Sequence, residues 1–121
     1  MSHTILVVDD EPMARNLLRL MLVREGFDVI EAVDGQDALN KLEQRIPDLL
    51  ILDVMMPGID GLSVCRQLRS REAFANIPIM MLSARTDTDS VDEGFAAGAT
   101  KYLTKPISAV QLAYHVRECL Q

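Results

Sequence analysis

The sequence is poor in cysteine, in aromatic residues and in long apolar runs, and these shortages argue against particular kinds of site and partner. Its 121 residues include two cysteines and no tryptophan, and aromatic residues make up 4% of the chain. Cys65 and Cys119 both fall on the apolar faces of predicted helices, so we interpret them as small core residues with free thiols. His3 and His115 have no second soft ligand at metal-binding spacing, which argues against a zinc site.

No apolar run approaches the ~20 residues that a membrane-spanning helix needs, so no membrane partner is expected. The first residues lead directly into a predicted strand without the pattern of a signal peptide, and we expect a cytoplasmic protein. Basic residues are in the minority, with 12 against 18 acidic ones and a net charge of −6. That balance disfavours direct binding of nucleic acid by this domain.

Length and periodicity together indicate one α/β domain over residues 1–121. Short, mostly apolar runs are typical of buried strands, and they occur at 5–8, 29–32, 49–52, 79–82 and 101–104. Glu31, within the second run, favours an edge position for that strand. Helical patterns separate the runs and leave room for right-handed crossovers. The pattern predicts a doubly wound five-stranded parallel sheet with five helices on its two faces.

The helix predicted at 86–97 is expected to be the least stable of the five. Its apolar face is thin, consisting chiefly of Val91 and Phe95, and Gly94 interrupts it.

Polar side chains follow four of the predicted strands, at the point where each strand ends. Asp9 and Asp10 follow the first strand, Asp53 ends the third, Ser83 follows the fourth and Lys105 follows the fifth. Because the carboxyl ends of parallel strands lie on one edge of a sheet, these side chains should converge there.

The converging group has the composition of a phosphoryl-transfer site. Three carboxylates without a counterion would repel one another, whereas a hard divalent cation such as Mg²⁺ removes that cost. Mn²⁺ takes the same oxygen ligands and is the alternative ion. Asp53 would act either as a ligand only or as a nucleophile towards phosphorus. Lys105 and the hydroxyl of Ser83 would hold the phosphoryl oxygens.

Four sequence blocks, taken together, resemble the receiver domain of bacterial two-component response regulators. They are VVDDEP at 7–12, DVMMPGIDG at 53–61, LSA at 82–84 and YLTKP at 102–106. The resemblance covers essentially the whole chain and implies a flavodoxin-like fold with strand order 2-1-3-4-5. It also implies a cis peptide bond between Lys105 and Pro106.

The resemblance further implies a role for each motif residue. Asp53 would accept a phosphoryl group from a histidine kinase phosphohistidine or a small phosphodonor. Asp9 and Asp10 would bind Mg²⁺, Asp9 either directly or through water, and Met55 would bind it through its backbone carbonyl.

Four residues match positions that control the phosphorylated state. Ser83 and Tyr102 would form the switch pair, and Met55 and Arg85 would tune the lifetime of the phosphoryl group. Such a protein is a switch that phosphorylates and dephosphorylates itself rather than a conventional enzyme.

Several alternatives stay open on the sequence. A magnesium phosphohydrolase also uses an aspartyl nucleophile, but one large superfamily needs an acidic residue where Met55 stands. A flavin mononucleotide carrier of this topology needs hydroxyls and glycines where the acidic residues 9–11 would repel a phosphate. An interaction module that is never phosphorylated is not excluded. In structural terms alone, Asp53 and Ser83 could be caps and Tyr102 a half-buried strand residue.

The expected partners are a sensor histidine kinase or phosphotransfer protein and an output domain or target protein that stays unknown. The fourth helix, fifth strand and fifth helix would form the surface that changes. Receivers of winged-helix transcription factors dimerise there through ion pairs, but Thr100, Lys101 and His115 occupy the corresponding positions. We therefore expect a monomer or a weak dimer.

Overall fold

Five strands and five helices alternate along the chain, and the computed structural model describes residues 2–121 of it. The strands are β1 Thr4–Val8, β2 Asp28–Ala32, β3 Leu49–Asp53, β4 Ile79–Ser83 and β5 Lys101–Thr104. The helices are α1 Pro12–Arg24, α2 Gly35–Gln44, α3 Gly61–Arg69, α4 Thr88–Ala97 and α5 Ala109–Leu120. A short 3₁₀ helix, Glu72–Phe74, follows α3 and was not predicted.

The strands form one parallel sheet in the order β2-β1-β3-β4-β5. This confirms the predicted fold class and places β2 at an edge, as Glu31 indicated. None of the helices within residues 2–121 is long and apolar enough to cross a membrane.

Alternate residues of the buried strands feed two hydrophobic cores, one on each face of the sheet. Leu50 and Leu52 belong to the core beneath α2, α3 and α4, which also contains Cys65. Leu49 and Ile51 belong to the core beneath α1 and α5, against which Cys119 packs. The two thiols are free, as predicted, and they lie on opposite faces of the sheet.

Side chains at the starts of the helices shape the loops at the carboxyl edge of the sheet. Asp60 accepts a hydrogen bond from the N–H of Ser63 over 2.8 Å and begins α3 as an N-cap. Glu11 caps α1 in the same way, through Met13 and Ala14. These caps fix where the loops after β1 and β3 turn away from the sheet.

The buried face of α4 differs from the predicted one. Phe95 is 48% exposed, whereas Gly94 and Ala97 are buried against the rest of the domain. The reason is close packing, because a Cβ atom on Gly94 would lie 2.6 Å from Cδ2 of Tyr102 in β5. The glycine lets α4 approach the sheet, and that approach turns Phe95 towards solvent.

Candidate functional site

Asp53 is a buried carboxylate at the carboxyl end of β3, the central strand. Its exposure is 7%, and the main-chain N–H of Met55 donates a hydrogen bond to its Oδ1 atom over 3.3 Å. Burial raises the pKa of Asp53 to about 6; the charge of Lys105 opposes this rise, and the charge of Asp9 adds to it. Asp53 is therefore ionised at neutral pH but loses its charge in mild acid.

Lys105 lies between two buried carboxylates. Its Nζ atom is 2.8 Å from Oδ2 of Asp9 and 3.4 Å from Oδ2 of Asp53. Burial pulls the pKa of Lys105 down, but the hydrogen bond to Asp9 and the charges of both carboxylates outweigh this and raise it above its usual value. The ammonium group therefore stays charged beside Asp53.

Asp9, Asp10 and Asp53 form an acidic cluster, in which each offers a carboxylate oxygen and these oxygens all lie within 4.8 Å of one another. Asp9 and Asp53 are buried and Asp10 is exposed, so the cluster opens to solvent on the side of Asp10. The three carboxylates and the ammonium of Lys105, counted together, carry a net charge of −2. An oxygen-only site of this charge fits a hard divalent cation such as Mg²⁺.

Ser83 and Tyr102 are joined through the main chain of one residue, Arg85. The N–H of Arg85 donates to the buried Oγ of Ser83 over 3.1 Å. The hydroxyl of Tyr102 donates to the carbonyl oxygen of Arg85 over 2.9 Å. The segment after β4 therefore contacts the predicted switch pair from both sides.

A cleft of about 670 Å³ lies beside the loop that follows Asp53. Met55 and Arg85 both line it, and both side chains are exposed. Arg85 also pairs with Asp87, Nε to Oδ1, over 3.5 Å. The two predicted lifetime positions thus line the same cleft, next to the residues that follow Asp53.

Comparison with known proteins identifies the family, because the family model of the response regulator receiver domain matches residues 5–117. The chain belongs to the response regulator receiver domain family. This membership decides against the phosphohydrolase and the flavin carrier, and it makes the domain a module of phosphorylation-based signalling.

The relatives of this receiver domain include longer regulators. It is 44% identical to the alkaline phosphatase synthesis transcriptional regulatory protein PhoP of Bacillus subtilis, over 100% of this chain and 50% of that protein. It is 43% identical to the phosphate regulon transcriptional regulatory protein PhoB of Rhizobium meliloti, over 100% of this chain and 53% of that protein. The receiver domain thus spans about half the length of these curated relatives.

A solved structure repeats the whole fold of the receiver domain. The chemotaxis protein CheY4 of Vibrio cholerae superposes with a TM-score of 0.94 at 32% identity, covering 99% of this chain and 100% of that one. The peptide bond between Lys105 and Pro106 is cis, as the family resemblance implied.

One residue at the receiver domain's site, Arg15, was not predicted from the sequence. Arg15 of α1 donates from Nη1 to the carbonyl oxygen of Asp9 over 2.9 Å. The only sequence signal is a basic residue one turn into α1, the helix that follows the acidic loop of residues 9–11. Such a residue is ordinarily taken for part of a solvated helix face.

Proposed function

We propose that this receiver domain is a phosphorylation-dependent switch in which Asp53 is the phosphoacceptor. The observation that supports the proposal best is the placement of Asp53 at the end of β3. Its carboxylate lies within reach of the Lys105 ammonium and of the carboxylates of Asp9 and Asp10. The donor would be the phosphohistidine of a sensor histidine kinase or phosphotransfer protein, or a small acyl phosphate.

The proposed reaction moves one phosphoryl group between two nucleophiles. A carboxylate oxygen of Asp53 attacks phosphorus, the bond from phosphorus to the imidazole nitrogen breaks, and the nitrogen keeps the electron pair. The product is an acyl phosphate on Asp53. Because only the ionised carboxylate attacks, the pKa of about 6 still leaves most of Asp53 reactive at neutral pH.

A divalent ion, Mg²⁺ or Mn²⁺, would be held by Asp9, Asp10, Asp53 and the backbone carbonyl of Met55, with Asp9 bound directly or through water. When bound, it supplies positive charge that offsets the charge of the phosphoryl oxygens. Lys105 would bind a phosphoryl oxygen, and the closeness of its ammonium to Asp53 supports this role.

The proposed response to phosphorylation uses the shared contacts of Arg85. If the Oγ atom of Ser83 moves to the phosphoryl group by a change of rotamer, it leaves its present partner, the N–H of Arg85. The same main-chain segment holds the Tyr102 hydroxyl, so its displacement frees the ring to turn inward. The surface of α4, β5 and α5 would change as a result, and this is the surface for an output domain or target protein.

The test is intact-mass analysis after incubation with Mg²⁺ and acetyl phosphate. The expected result is one added phosphoryl group in the parent and none in Asp53→Asn. Asp89→Asn, which removes an exposed carboxylate of α4, is the matched control and should be modified like the parent. A phosphoryl group that persists in Asp53→Asn would overturn the assignment of Asp53. No modification of the parent would favour an interaction module without phosphorylation.

A further inference from the structure

The side chain of Arg15 bridges the acidic loop and the edge strand of the sheet. Besides its bond to the carbonyl oxygen of Asp9, its Nε atom donates to Oε1 of Glu31 in β2 over 3.1 Å. The side chain is only 15% exposed. A guanidinium group donates in a fixed plane, so contacts on two elements fix its orientation and that of the acceptors.

The carbonyl group that Arg15 holds belongs to the peptide unit between Asp9 and Asp10. The N–H of Asp9 donates to the carbonyl oxygen of Ala32 over 3.2 Å. On the other side, the N–H of Glu11 donates to Oδ1 of Asp9 over 3.0 Å. Arg15 therefore fixes the one remaining peptide plane of the loop.

The position of the Asp10 carboxylate depends on that peptide plane more than the position of the Asp9 carboxylate does. Asp9 has Lys105 as a side-chain partner, whereas the carboxylate of Asp10 accepts no hydrogen bond within residues 2–121. The backbone at residues 9 and 10 therefore sets the direction of its Cα–Cβ bond, and no hydrogen-bond partner within the described residues holds the side chain in another way. A rotation of the peptide plane would carry the Asp10 oxygen away from the other two members of the cluster.

We infer that Arg15 is a positioning residue, which holds the Asp9–Asp10 peptide so that the Asp10 carboxylate meets the divalent cation. The inference rests on the proposed function, because that function makes Asp10 a ligand. Groups that orient metal ligands typically change metal affinity by about 10- to 100-fold when they are removed. Arg15→Gln should therefore weaken Mg²⁺ binding by about 10-fold.

The chain offers a matched control one turn further along α1. Arg19 pairs with the same carboxylate, Nε to Oε2 of Glu31 over 3.5 Å, and its other hydrogen bond goes to Oδ1 of Asn16 rather than to the main chain of Asp9. Arg19→Gln thus removes an ion pair to Glu31 and one positive charge while leaving the loop held. Arg15→Lys keeps the charge but not the planar fork, which separates orientation from electrostatics.

The experiment measures Mg²⁺ affinity by calorimetry and the hydrogen exchange of the Glu11 amide in metal-free protein. Arg15→Gln and Arg15→Lys should both bind Mg²⁺ more weakly and exchange Glu11 faster, and Arg19→Gln should match the parent. Should Arg15→Gln not fold, Arg15→Lys carries the comparison. Equal Mg²⁺ affinity and equal Glu11 exchange in the Arg15 and Arg19 variants would overturn the inference.

Failure of the proposed function would give a different result. The parent protein itself would then not bind Mg²⁺ or not be phosphorylated, while the exchange of the Glu11 amide would still report whether Arg15 holds the loop. Phosphorylation at saturating Mg²⁺ should recover in the Arg15 variants, because the loss lies in affinity for the ion. A loss that high Mg²⁺ does not reverse would contradict a positioning role.

Discussion

The Nζ atom of Lys105 lies 2.8 Å from Oδ2 of Asp9, although 96 residues of chain separate them. The pair links the loop after β5 to the loop after β1, across the ends of β3 and β4. Because Asp9 is only 1% exposed, loss of this partner would leave a buried carboxylate without a nearby ammonium.

Replacing Lys105 by methionine should therefore lower the free energy of unfolding strongly in metal-free buffer. The expected loss is about 3 kcal/mol or more, since the substitution leaves a buried charge unpaired. Lys101→Met is the control, because the side chains are equally exposed, 26% for Lys105 and 25% for Lys101, while the partner of Lys101 is the exposed Glu118. Urea unfolding of the two variants checks this. Equal losses would show that burial of the partner does not matter.

Asp53→Asn should change how stability depends on pH. The folded-state pKa of about 6 lies above the ordinary value of 3.8, so folding favours the protonated carboxyl. Its stabilising contribution is complete below about pH 4 and is lost as the pH rises through about 6. Without metal, Asp53→Asn should therefore gain stability over the parent across this range, by up to about 3 kcal/mol. The difference in unfolding free energy, measured from about pH 4 to pH 7, should rise; a flat difference would contradict the raised pKa.

The sequence alone predicted the convergence of Asp9, Asp10, Asp53 and Lys105, because parallel pairing places the carboxyl ends of neighbouring strands together. The direction that Phe95 takes could not be predicted in this way, since it follows from how closely α4 approaches β5.

The contacts of long side chains could not be predicted from the sequence either. Arg69 donates to the carbonyl oxygens of Gly98, Phe74 and Ile77, at 2.9, 2.8 and 2.7 Å. Arg15 similarly reaches a main-chain oxygen at the site. These acceptor oxygens come close together only in the folded chain, so no spacing of residues along the sequence predicts the contacts.

Gly94→Ala should destabilise the protein although alanine favours helices. The new methyl group would lie 2.6 Å from Tyr102 and 3.2 Å from the sulfur of Met81. Overpacking of this kind typically costs about 1–3 kcal/mol, more than the ~1 kcal/mol of helix propensity gained. In a Tyr102→Ala background the same substitution should become neutral or stabilising, because the ring is gone. A double-mutant cycle by thermal unfolding measures this, and an identical effect in both backgrounds would count against the contact.

Phosphorylation should not produce a strong symmetric dimer through α4, β5 and α5. Lys101 is already paired within the protomer, with Glu118 and with Nδ1 of His115 at 3.0 Å, and Tyr114 donates to Glu118 over 3.0 Å. These charged groups are therefore satisfied without a second copy. Sedimentation of the domain with and without acetyl phosphate should show a monomer or a weak dimer. A phosphorylation-driven dimer cross-linked through β5 and α5 would refute this expectation.

The phosphoryl group on Asp53 should persist for a long time compared with other receivers. Hydrolysis needs a water molecule in line with phosphorus, opposite the departing carboxylate oxygen. Met55 and Arg85 line the cleft beside the loop that follows Asp53, and the family resemblance makes them the positions that act on such a water. The thioether of Met55 is at best a weak acceptor, and the guanidinium of Arg85 donates but cannot take a proton from water.

Met55→Asn combined with Arg85→Glu should shorten this lifetime, because an amide and a carboxylate can orient the water and accept its proton. General-base help is typically worth about 10²-fold. Arg85→Met is the control, since it removes the same ion pair to Asp87 without adding an acceptor. Mg²⁺ affinity should stay nearly unchanged, because the proposed ligand at residue 55 is its main-chain carbonyl. Phosphate release after removal of the donor gives the lifetime, and a double variant that decays no faster than the parent would show that these positions do not control hydrolysis.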